Sequence, residues 1–207
     1  MYALVEDNTI TKTYNNPRGM MIGGVQYPQN IHSLWTESDL NAIGIYTVVY
    51  DDTNKKDGEW YVNTDQTLTF AGGKVTANYG TATAKPIADP TYTEQNKTDG
   101  VIPEGKDVGD ISSDGLKTVK KRIINNQAAG LLAKYDWYII RNTEASTAIP
   151  SAITDYRTAV RAKCNSMQTQ IDNASDVDAL AALFTYTEQE DGSITRPLGE
   201  FPKDPNE

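Results

Sequence analysis

"IPSAITDYRTAVRAKCNSMQTQID", residues 149–172, is the stretch that decides the fold of the C-terminal half. Its apolar side chains recur at steps of three and four residues, at Ile153, Tyr156, Val160, Cys164, Met167 and Ile171. That spacing is typical of an amphipathic α-helix, in which such side chains form one stripe. Pro150 suits the first turn of a helix, where a missing N–H leaves no hydrogen bond unmade. The sequence therefore predicts a long helix with its apolar stripe, including Tyr156 and Cys164, in a core.

Two further helices are predicted on either side of this stretch. In residues 114–132 the apolar positions follow a near-helical period, at Leu116, Val119, Ile123, Ile124, Leu131 and Leu132. In residues 175–184 we expect Ser175 as the N-cap, with an inward face of Val177, Leu180, Ala181 and Phe184. Asp191-Gly192 is a hairpin signal in the acidic tail. Residues 114–207 are thus predicted as a helical hairpin or bundle of about three helices, ending in a short β-hairpin.

Residues 1–85 are predicted as a small antiparallel β-rich module with one short helix. Short runs of β-branched and aromatic residues alternate with turn signals, at residues 2–6, 9–14, 45–50, 59–63, 67–70 and 74–80. The short helix is expected in "TESDLNAIG", residues 36–44, where Thr36 and Asp39 form a capping box and Gly44 suits the left-handed C-terminal position. The fold class expected for the whole chain is α+β.

Residues 86–113 are predicted as an extended polar linker or arm between the two modules. The segment is rich in Pro, Gly, Asp and Thr and has few large apolar side chains. Such a composition buries too little apolar surface to offset the entropy of ordering the chain.

The charges are distributed unevenly along the sequence. The chain carries a net charge of −9, which argues against a nucleic-acid partner. Residues 115–163 nevertheless hold 9 basic and 3 acidic side chains, whereas residues 164–207 hold 2 basic and 9 acidic ones. This cationic block favours either an acidic partner or the protein's own acidic regions. No run approaches the roughly 18 apolar residues of a membrane span, so no membrane partner is expected.

No catalytic, cofactor-binding or metal-binding residue is predicted. The single histidine, His32, and the single cysteine, Cys164, cannot form a multi-histidine or multi-cysteine metal site. Lysines interrupt the acidic turn at residues 51–59, so it fails the pattern of a calcium loop. An enzyme such as a cell-wall hydrolase would need two carboxylates facing across a cleft, and the sequence gives no indication of them.

The aromatic residues of "YDWYIIRN", residues 135–142, could form a sugar-stacking platform, part of a core or a docking surface. We expect Asp136 to cap a short helix, with Trp137 and either Ile139 or Ile140 pointing inward. A β-strand is the competing interpretation of this stretch, because its residues also suit a strand.

The longer stretch "LLAKYDWYIIRNTEASTAIPSAITDYRTAVR", residues 131–161, resembles the signature of bacteriophage tail-fibre-assembly and tail-assembly-chaperone-like proteins. In that signature a Thr/Ser-Asp-Trp segment is followed by Ile-Pro and then by Tyr-Arg-x-x-x-Arg on a helix. The matching positions are Asp136, Trp137, Arg141, Ile149, Pro150, Tyr156, Arg157 and Arg161. Tyr135 replaces the usual small hydroxyl residue. Residues 34–49 also resemble a segment frequent in phage tail proteins.

The resemblance implies a non-enzymatic tail protein that docks on phage tail-fibre or baseplate proteins, without cofactors. It would be either a component of the virion tail or an assembly chaperone in the host cytoplasm. Trp137 and Tyr138 are expected as apolar docking anchors, with Arg141, Arg157 and Arg161 as charged contacts. A second copy of the chain is a further candidate partner. The alternative is a carbohydrate-binding module of a phage receptor-binding protein that uses one or more of the aromatic residues Trp35, Trp60 and Tyr61.

Overall fold

The chain folds as an α+β protein in a computed structural model that describes residues 1–206. It divides into two units, Met1–Thr83 and the chain from Ala84 onward. The division falls two residues before the predicted end of the β-rich module. Each unit has its own secondary structure and is described separately.

The first unit is built on a five-stranded sheet with the order β2-β1-β5-β8-β7. Its elements are β1 (Tyr2–Glu6), β2 (Thr9–Tyr14), β3 (Met20–Ile22), β4 (Val25–Tyr27), α1 (Ile31–Leu34), α2 (Glu37–Ala42), β5 (Ile45–Asp51), β6 (Tyr61–Val62), β7 (Gln66–Ala71) and β8 (Lys74–Tyr79). The edge strands β2 and β7 also approach each other, so the sheet curves into a half-barrel.

The prediction of a purely antiparallel sheet is wrong, because β5 and β8 run parallel, with Val48 opposite Val75. The other neighbouring strands of the sheet pair antiparallel. A parallel pair needs a crossover of about a dozen residues or more. The connection between β5 and β8 contains β6 and β7 and is long enough to bring the chain back in the same direction.

The turn and cap predictions for the first unit are confirmed. Asp7 and Asn8 both have positive φ, at 49° and 60°, as a tight hairpin between β1 and β2 requires. Thr36 accepts a hydrogen bond from the Asp39 N–H, and Asp39 accepts one from the Thr36 N–H. Gly44 has a φ of 85°, and a Cβ there would lie 2.5 Å from the Val5 carbonyl oxygen. The sequence had therefore placed these local features correctly.

Both faces of the five-stranded sheet are covered by apolar side chains. One core cluster contains Ala3, Val5, Val48, Val75 and Ala77, and the other contains Leu4, Tyr14, Ile31, Leu40 and Ile45. Consecutive residues of β1 fall in different clusters because successive side chains of a strand point to opposite faces. The short helices α1 and α2 supply Ile31 and Leu40 to the second cluster.

The second unit is mainly helical. β9 (Thr83–Ala84) lies at the division between the units, and the elements that follow are α3 (Glu94–Thr98), α4 (Leu116–Ala133), α5 (Asp136–Ala145), α6 (Ser151–Asn173), α7 (Val177–Phe184), β10 (Thr187–Glu188) and β11 (Ile194–Thr195). α4 packs against α6, and β10 and β11 form the predicted terminal hairpin around Asp191-Gly192. All six residues of the predicted α6 stripe are buried, which confirms that prediction.

Two details of the helix predictions are wrong. The N-cap of α7 is Asp176 rather than Ser175, because the Asp176 carboxylate accepts a hydrogen bond from the Ala179 N–H. On α4 the predicted core residue Ile123 is 41% exposed, and Lys120 and Ala128 are buried instead. Ile123 therefore does not belong to the buried face of α4.

Residues 86–113, expected as an extended arm, instead form a folded loop that belongs to the second unit. The loop contains α3 and closes through a β-bridge between Thr91 and Ile111. Its Asp89 carboxylate accepts hydrogen bonds from the Gly115 N–H at 2.7 Å and from the Thr118 hydroxyl at 2.9 Å. Asp89 thus ties the loop to the start of α4, whose first N–H groups, at Leu116 and Lys117, donate to the Pro86 and Ile87 carbonyls of the same loop.

Candidate functional site

The stretch that contains the predicted docking residues forms α5, so the helix prediction is confirmed over the strand. Asp136 is its first residue rather than its cap, and its side chain caps no N–H of the helix. The Asp136 carboxylate instead lies 2.8 Å from the guanidinium of Arg157 on α6. The helix ends at Ser146, which has a left-handed φ of 51°. The next connection is fixed by a hydrogen bond from the Asn142 amide to the Thr147 carbonyl.

α5 is an exposed helix with large apolar side chains. None of the described residues Asp136–Ala145 is buried. Trp137 is 49% exposed, Ile139 40% and Ile140 56%, so the prediction that they point inward is wrong. The residue that enters the core at this place is Tyr135, which packs edge-on against Tyr156 at 5.7 Å between ring centroids. α5 therefore presents its isoleucines and tryptophan to solvent.

Three of the predicted docking residues lie together on α5. The Arg141 guanidinium lies over the Trp137 ring, 4.7 Å from its centroid, and 5.0 Å from that of Tyr138. The Trp137 and Tyr138 ring centroids are 3.8 Å apart. Cation–π contact of this kind holds the half-buried Arg141 side chain against the two rings, and its Nε is buried without a hydrogen-bond partner among the described residues. The three side chains form a preorganised cluster.

Arg157, predicted as a charged docking contact, has a structural role within this unit. Its side chain is buried, and its guanidinium donates to the Leu132 carbonyl at 2.7 Å and to Asp136. A buried guanidinium is stable only when its charge and its donors are matched in this way. The sequence carries a signal for this placement, because position 157 lies four residues after Ile153 and three before Val160. An arginine at that spacing falls on the buried stripe.

Arg161, one turn further along α6, is exposed and borders a shallow groove. Its guanidinium makes one long contact, 3.5 Å, with the Arg157 carbonyl. The groove has a volume of about 130 Å³ and is lined by Ile139, Ile149, Thr154, Arg157, Thr158 and Arg161. We call the exposed or half-buried side chains Trp137, Ile139, Ile140 and Arg141 the α5 surface, and Ile139 also lines the groove that Arg161 borders.

Much of the cationic block is matched by the protein's own acidic groups. Lys121 pairs with Asp172 at 2.7 Å, Arg122 with Asp114 at 2.6 Å and Lys134 with Asp204 at 3.2 Å. Lys117 and Lys163 donate to backbone carbonyls of Asp172 and Leu198. The cationic block was expected to meet either an acidic partner or the protein's own acidic regions. Pairing within the protein accounts for Lys121, Arg122 and Lys134. Within residues 1–206, Arg141 and Arg161 form no salt bridge.

The C-terminal tail is anchored at the residue before α5. The Tyr135 hydroxyl donates to the Asp204 carboxylate, and the Asn206 amide donates to the Tyr135 hydroxyl at 2.9 Å. The hydrogen bond from Tyr135 holds the pKa of Asp204 below its usual range, and the same bond raises the pKa of Tyr135. Sequence reasoning missed this contact, because nothing local links two residues so far apart in the chain.

The remaining candidates lie elsewhere and contribute nothing to the α5 surface. Cys164 is buried, as predicted. His32 lies against the rings of Tyr2 and Tyr14. Of the three aromatic residues of the carbohydrate-binding alternative, Trp60 is buried, Tyr61 is half-buried, and Trp35 is partly exposed. Burial of Trp60 removes it from any stacking platform.

The part of the chain that the structure describes, residues 1–206, contains no group of three His, Cys, Asp or Glu side chains arranged to hold a metal ion. Nor does it contain a helix both long and apolar enough to cross a membrane. Comparisons of the chain with family models, with curated proteins and with solved structures give no match.

Proposed function

We propose that the protein is a non-enzymatic bacteriophage tail protein that docks through the α5 surface on a tail-fibre or baseplate protein. It acts either as a structural component or adaptor of the virion tail, or as a chaperone of tail-fibre assembly. The observation that carries the proposal is the exposure of Trp137 and Ile140 next to Arg141 on one short helix, on which Ile139 is also exposed further round. The stretch that resembles tail-assembly proteins, residues 131–161, contains this whole helix.

The energetics of α5 support a docking role. A helix of ten residues is marginally stable in water by itself, and most helices gain stability by burying an apolar face. α5 leaves its large apolar side chains in solvent, where they cost free energy until a partner covers them. Selection for folding alone would favour polar residues at these positions.

The residue types on α5 also suit an interface. Tryptophan and arginine are enriched among the few residues that carry most of the binding free energy in protein complexes. The stacking of Arg141 on Trp137 restricts both side chains before binding. Less conformational entropy is therefore lost when these two side chains bind a partner.

Co-expression with tail-fibre and baseplate proteins encoded in the same genome tests the proposal. We expect one of them to co-purify, and Trp137→Ala to weaken that complex by roughly 30-fold or more, as for a central interface tryptophan. Ile123→Ser is the matched control, since Ile123 is also an exposed apolar residue of a helix but lies on α4. If no tail protein binds, or if both variants weaken binding equally, the proposed docking surface is wrong.

Mass spectrometry of purified virions separates the two versions of the proposal. A structural component is present in fixed stoichiometry with the tail proteins. A chaperone is absent from the mature particle although it binds the fibre during assembly. Either result is compatible with docking through the α5 surface. The two versions differ only in whether the protein leaves its partner after assembly.

A further inference from the structure

We infer that a groove between α4 and the C-terminal tail binds a neutral saccharide. The groove lies within the second unit and has a volume of about 540 Å³, inside the range of roughly 300–1,000 Å³ that is usual for small-molecule sites. We call it the α4–tail groove. Six residues that carry the argument line it: Asn126, Gln127 and Leu131 on α4, and Tyr186, Arg196 and Glu200 around the hairpin and in the tail. The inference goes beyond the proposed function and does not depend on docking through the α5 surface.

Three side chains of the α4–tail groove hold one another in place. Tyr186 directly precedes β10 and Arg196 directly follows β11, so the pairing of Thr187 with Thr195 brings them together. The Arg196 guanidinium lies 5.0 Å from the Tyr186 ring centroid and pairs with Glu200 at 2.8 Å. The Tyr186 hydroxyl donates to the same carboxylate at 2.8 Å. The Arg196 side chain is only 11% exposed, and this network fixes all three groups before a ligand binds.

Two amides of α4 face the groove with their hydrogen-bonding groups available. Asn125, just before them, accepts a hydrogen bond from Gln168 of α6 at 2.9 Å and has a structural role. The side chains of Asn126 and Gln127 make no hydrogen bond with another of the described residues. Each amide offers two donors and an acceptor oxygen, and a sugar hydroxyl both donates and accepts. The two amides therefore match neighbouring hydroxyl groups.

The charges of the lining select a neutral ligand. Arg196 and Glu200 cancel each other, and the other described residues that line the groove are uncharged. A carboxylate has about four acceptor positions, of which the Tyr186 hydroxyl and two Arg196 nitrogens take three at Glu200. One position remains for a ligand hydroxyl. An anion would instead meet the Glu200 charge without a free cation beside it.

The apolar part of the groove suits the carbon face of a sugar ring. Leu131 and Phe201 are half-buried in it, and about half of Tyr186 is exposed. A pyranose ring presents C–H groups on its faces, which pack on aromatic and aliphatic side chains, and hydroxyls around its rim. Gly130 also lines the groove, and a Cβ there would have no neighbour within 4 Å, so the space beside α4 is open.

A proline-rich segment is the other ligand that uses grooves lined by aromatic residues. Its carbonyl groups only accept hydrogen bonds, and proline has no N–H to donate. Such a segment would cover the remaining acceptor position of Glu200 and the amide oxygens of Asn126 and Gln127 without a donor, which costs free energy. It therefore serves as a competing outcome in the test.

The experiment measures binding to the full chain by saturation-transfer NMR and by titration. The probes are the methyl glycosides of glucose, galactose and mannose, the acidic sugars glucuronate, galacturonate and mannuronate, and a decaproline peptide. We expect at least one neutral glycoside to bind, and its acidic counterpart to bind roughly fivefold more weakly or worse. Binding of no neutral glycoside, equal or tighter binding of the acidic sugars, or binding of decaproline in place of the sugars overturns the inference.

A steric variant locates the site without weakening the fold. Gly130→Leu places a side chain in the groove and also replaces glycine by a better helix former. We expect it to abolish sugar binding while the midpoint of thermal unfolding stays the same or rises. If binding survives Gly130→Leu and is lost in Trp35→Ala, the sugar binds the first unit and the inference is wrong.

Point variants test the contacts one by one. Tyr186→Ala should weaken binding roughly tenfold, whereas Tyr186→Phe keeps the ring and should retain most of the affinity. Asn126→Ala should weaken binding roughly threefold. Asn165→Ala is its matched control, because Asn165 is an exposed amide of α6 outside the groove. Equal losses in Asn126→Ala and Asn165→Ala would place the sugar elsewhere and overturn the inference, while docking through the α5 surface would be unaffected.

Discussion

The guanidinium of Arg157 lies 2.8 Å from the carboxylate of Asp136 and joins the buried stripe of α6 to the first residue of α5. The same guanidinium donates to the Leu132 carbonyl near the end of α4. One side chain therefore links three helices. α5 has no buried residue of its own among Asp136–Ala145, so this link fixes its position on the unit.

Replacing Arg157 by methionine should destabilise the second unit, whereas the same change at Arg161 should not. Arg157→Met leaves the Leu132 carbonyl and Asp136 without their donor, and we expect a loss of about 2 kcal/mol in the free energy of unfolding. Arg161 is exposed, and Arg161→Met should change that free energy by less than about 0.5 kcal/mol. Urea unfolding measures both. Equal stabilities of the two variants would contradict the structural role of Arg157.

Gly115→Ala should destabilise the start of α4 because the added methyl group has no room. A Cβ at this position would lie 2.3 Å from the carbonyl oxygen of Ala88, and we expect a cost of about 1–3 kcal/mol. Gly130 is the matched control on the same helix, since a Cβ there has no neighbour within 4 Å. Gly130→Ala should stabilise the helix by about 0.5–1 kcal/mol. Thermal unfolding in which both variants shift the same way would refute this account.

Acid should release the C-terminal tail before the helices unfold. The hydrogen bond from Tyr135 lowers the pKa of Asp204, so its contribution to stability is present above the ordinary aspartate pKa, near 4, and is lost as the pH falls further. Hydrogen exchange measured by mass spectrometry should show residues 198–206 losing protection in this range. Asp204→Asn should abolish the pH dependence of that protection. A tail that exchanges alike at pH 3 and pH 6 would exclude this anchoring.

Raising the pH should weaken the same contact between Tyr135 and Asp204, because Tyr135 ionises. The hydrogen bond to Asp204 raises the pKa of Tyr135, so the stability that it contributes is present below the ordinary tyrosine pKa, near 10, and is lost as the pH rises through the raised value. Ultraviolet titration of tyrosine ionisation detects the late-titrating group by comparing the protein with Tyr135→Phe. The prediction fails if the two titration curves coincide above pH 10.

His32 should titrate below the usual histidine range. Burial against Tyr2 and Tyr14 lowers its pKa, and neither ring nitrogen has a hydrogen-bond partner among the described residues. The stability contributed by its neutral form is present above about pH 6.5 and is lost as the pH falls through the lowered pKa. The chain has one histidine, so a single ring proton signal reports the titration by NMR. A midpoint at or above 6.5 would show that the ring is not buried as described.

The sequence by itself determined the features that depend on a few neighbouring residues. The α6 stripe was readable because a regular step of three or four residues places side chains on one face of any helix. The Thr36–Asp39 capping box was readable because it needs only two side chains three positions apart. The hairpin at Asp191-Gly192 likewise depends on local backbone preferences.

The tertiary structure alone decided which strands run parallel and what each charge meets. The pairing of Val48 with Val75 depends on the path of a whole crossover rather than on either strand. Arg157 and Arg161 are one helical turn apart, yet one is enclosed by Leu132 and Asp136 while the other faces solvent. Electrostatic partners are set by distance in space, and residues distant in the chain supply them. Only the tertiary structure therefore distinguishes the enclosed arginine from the exposed one.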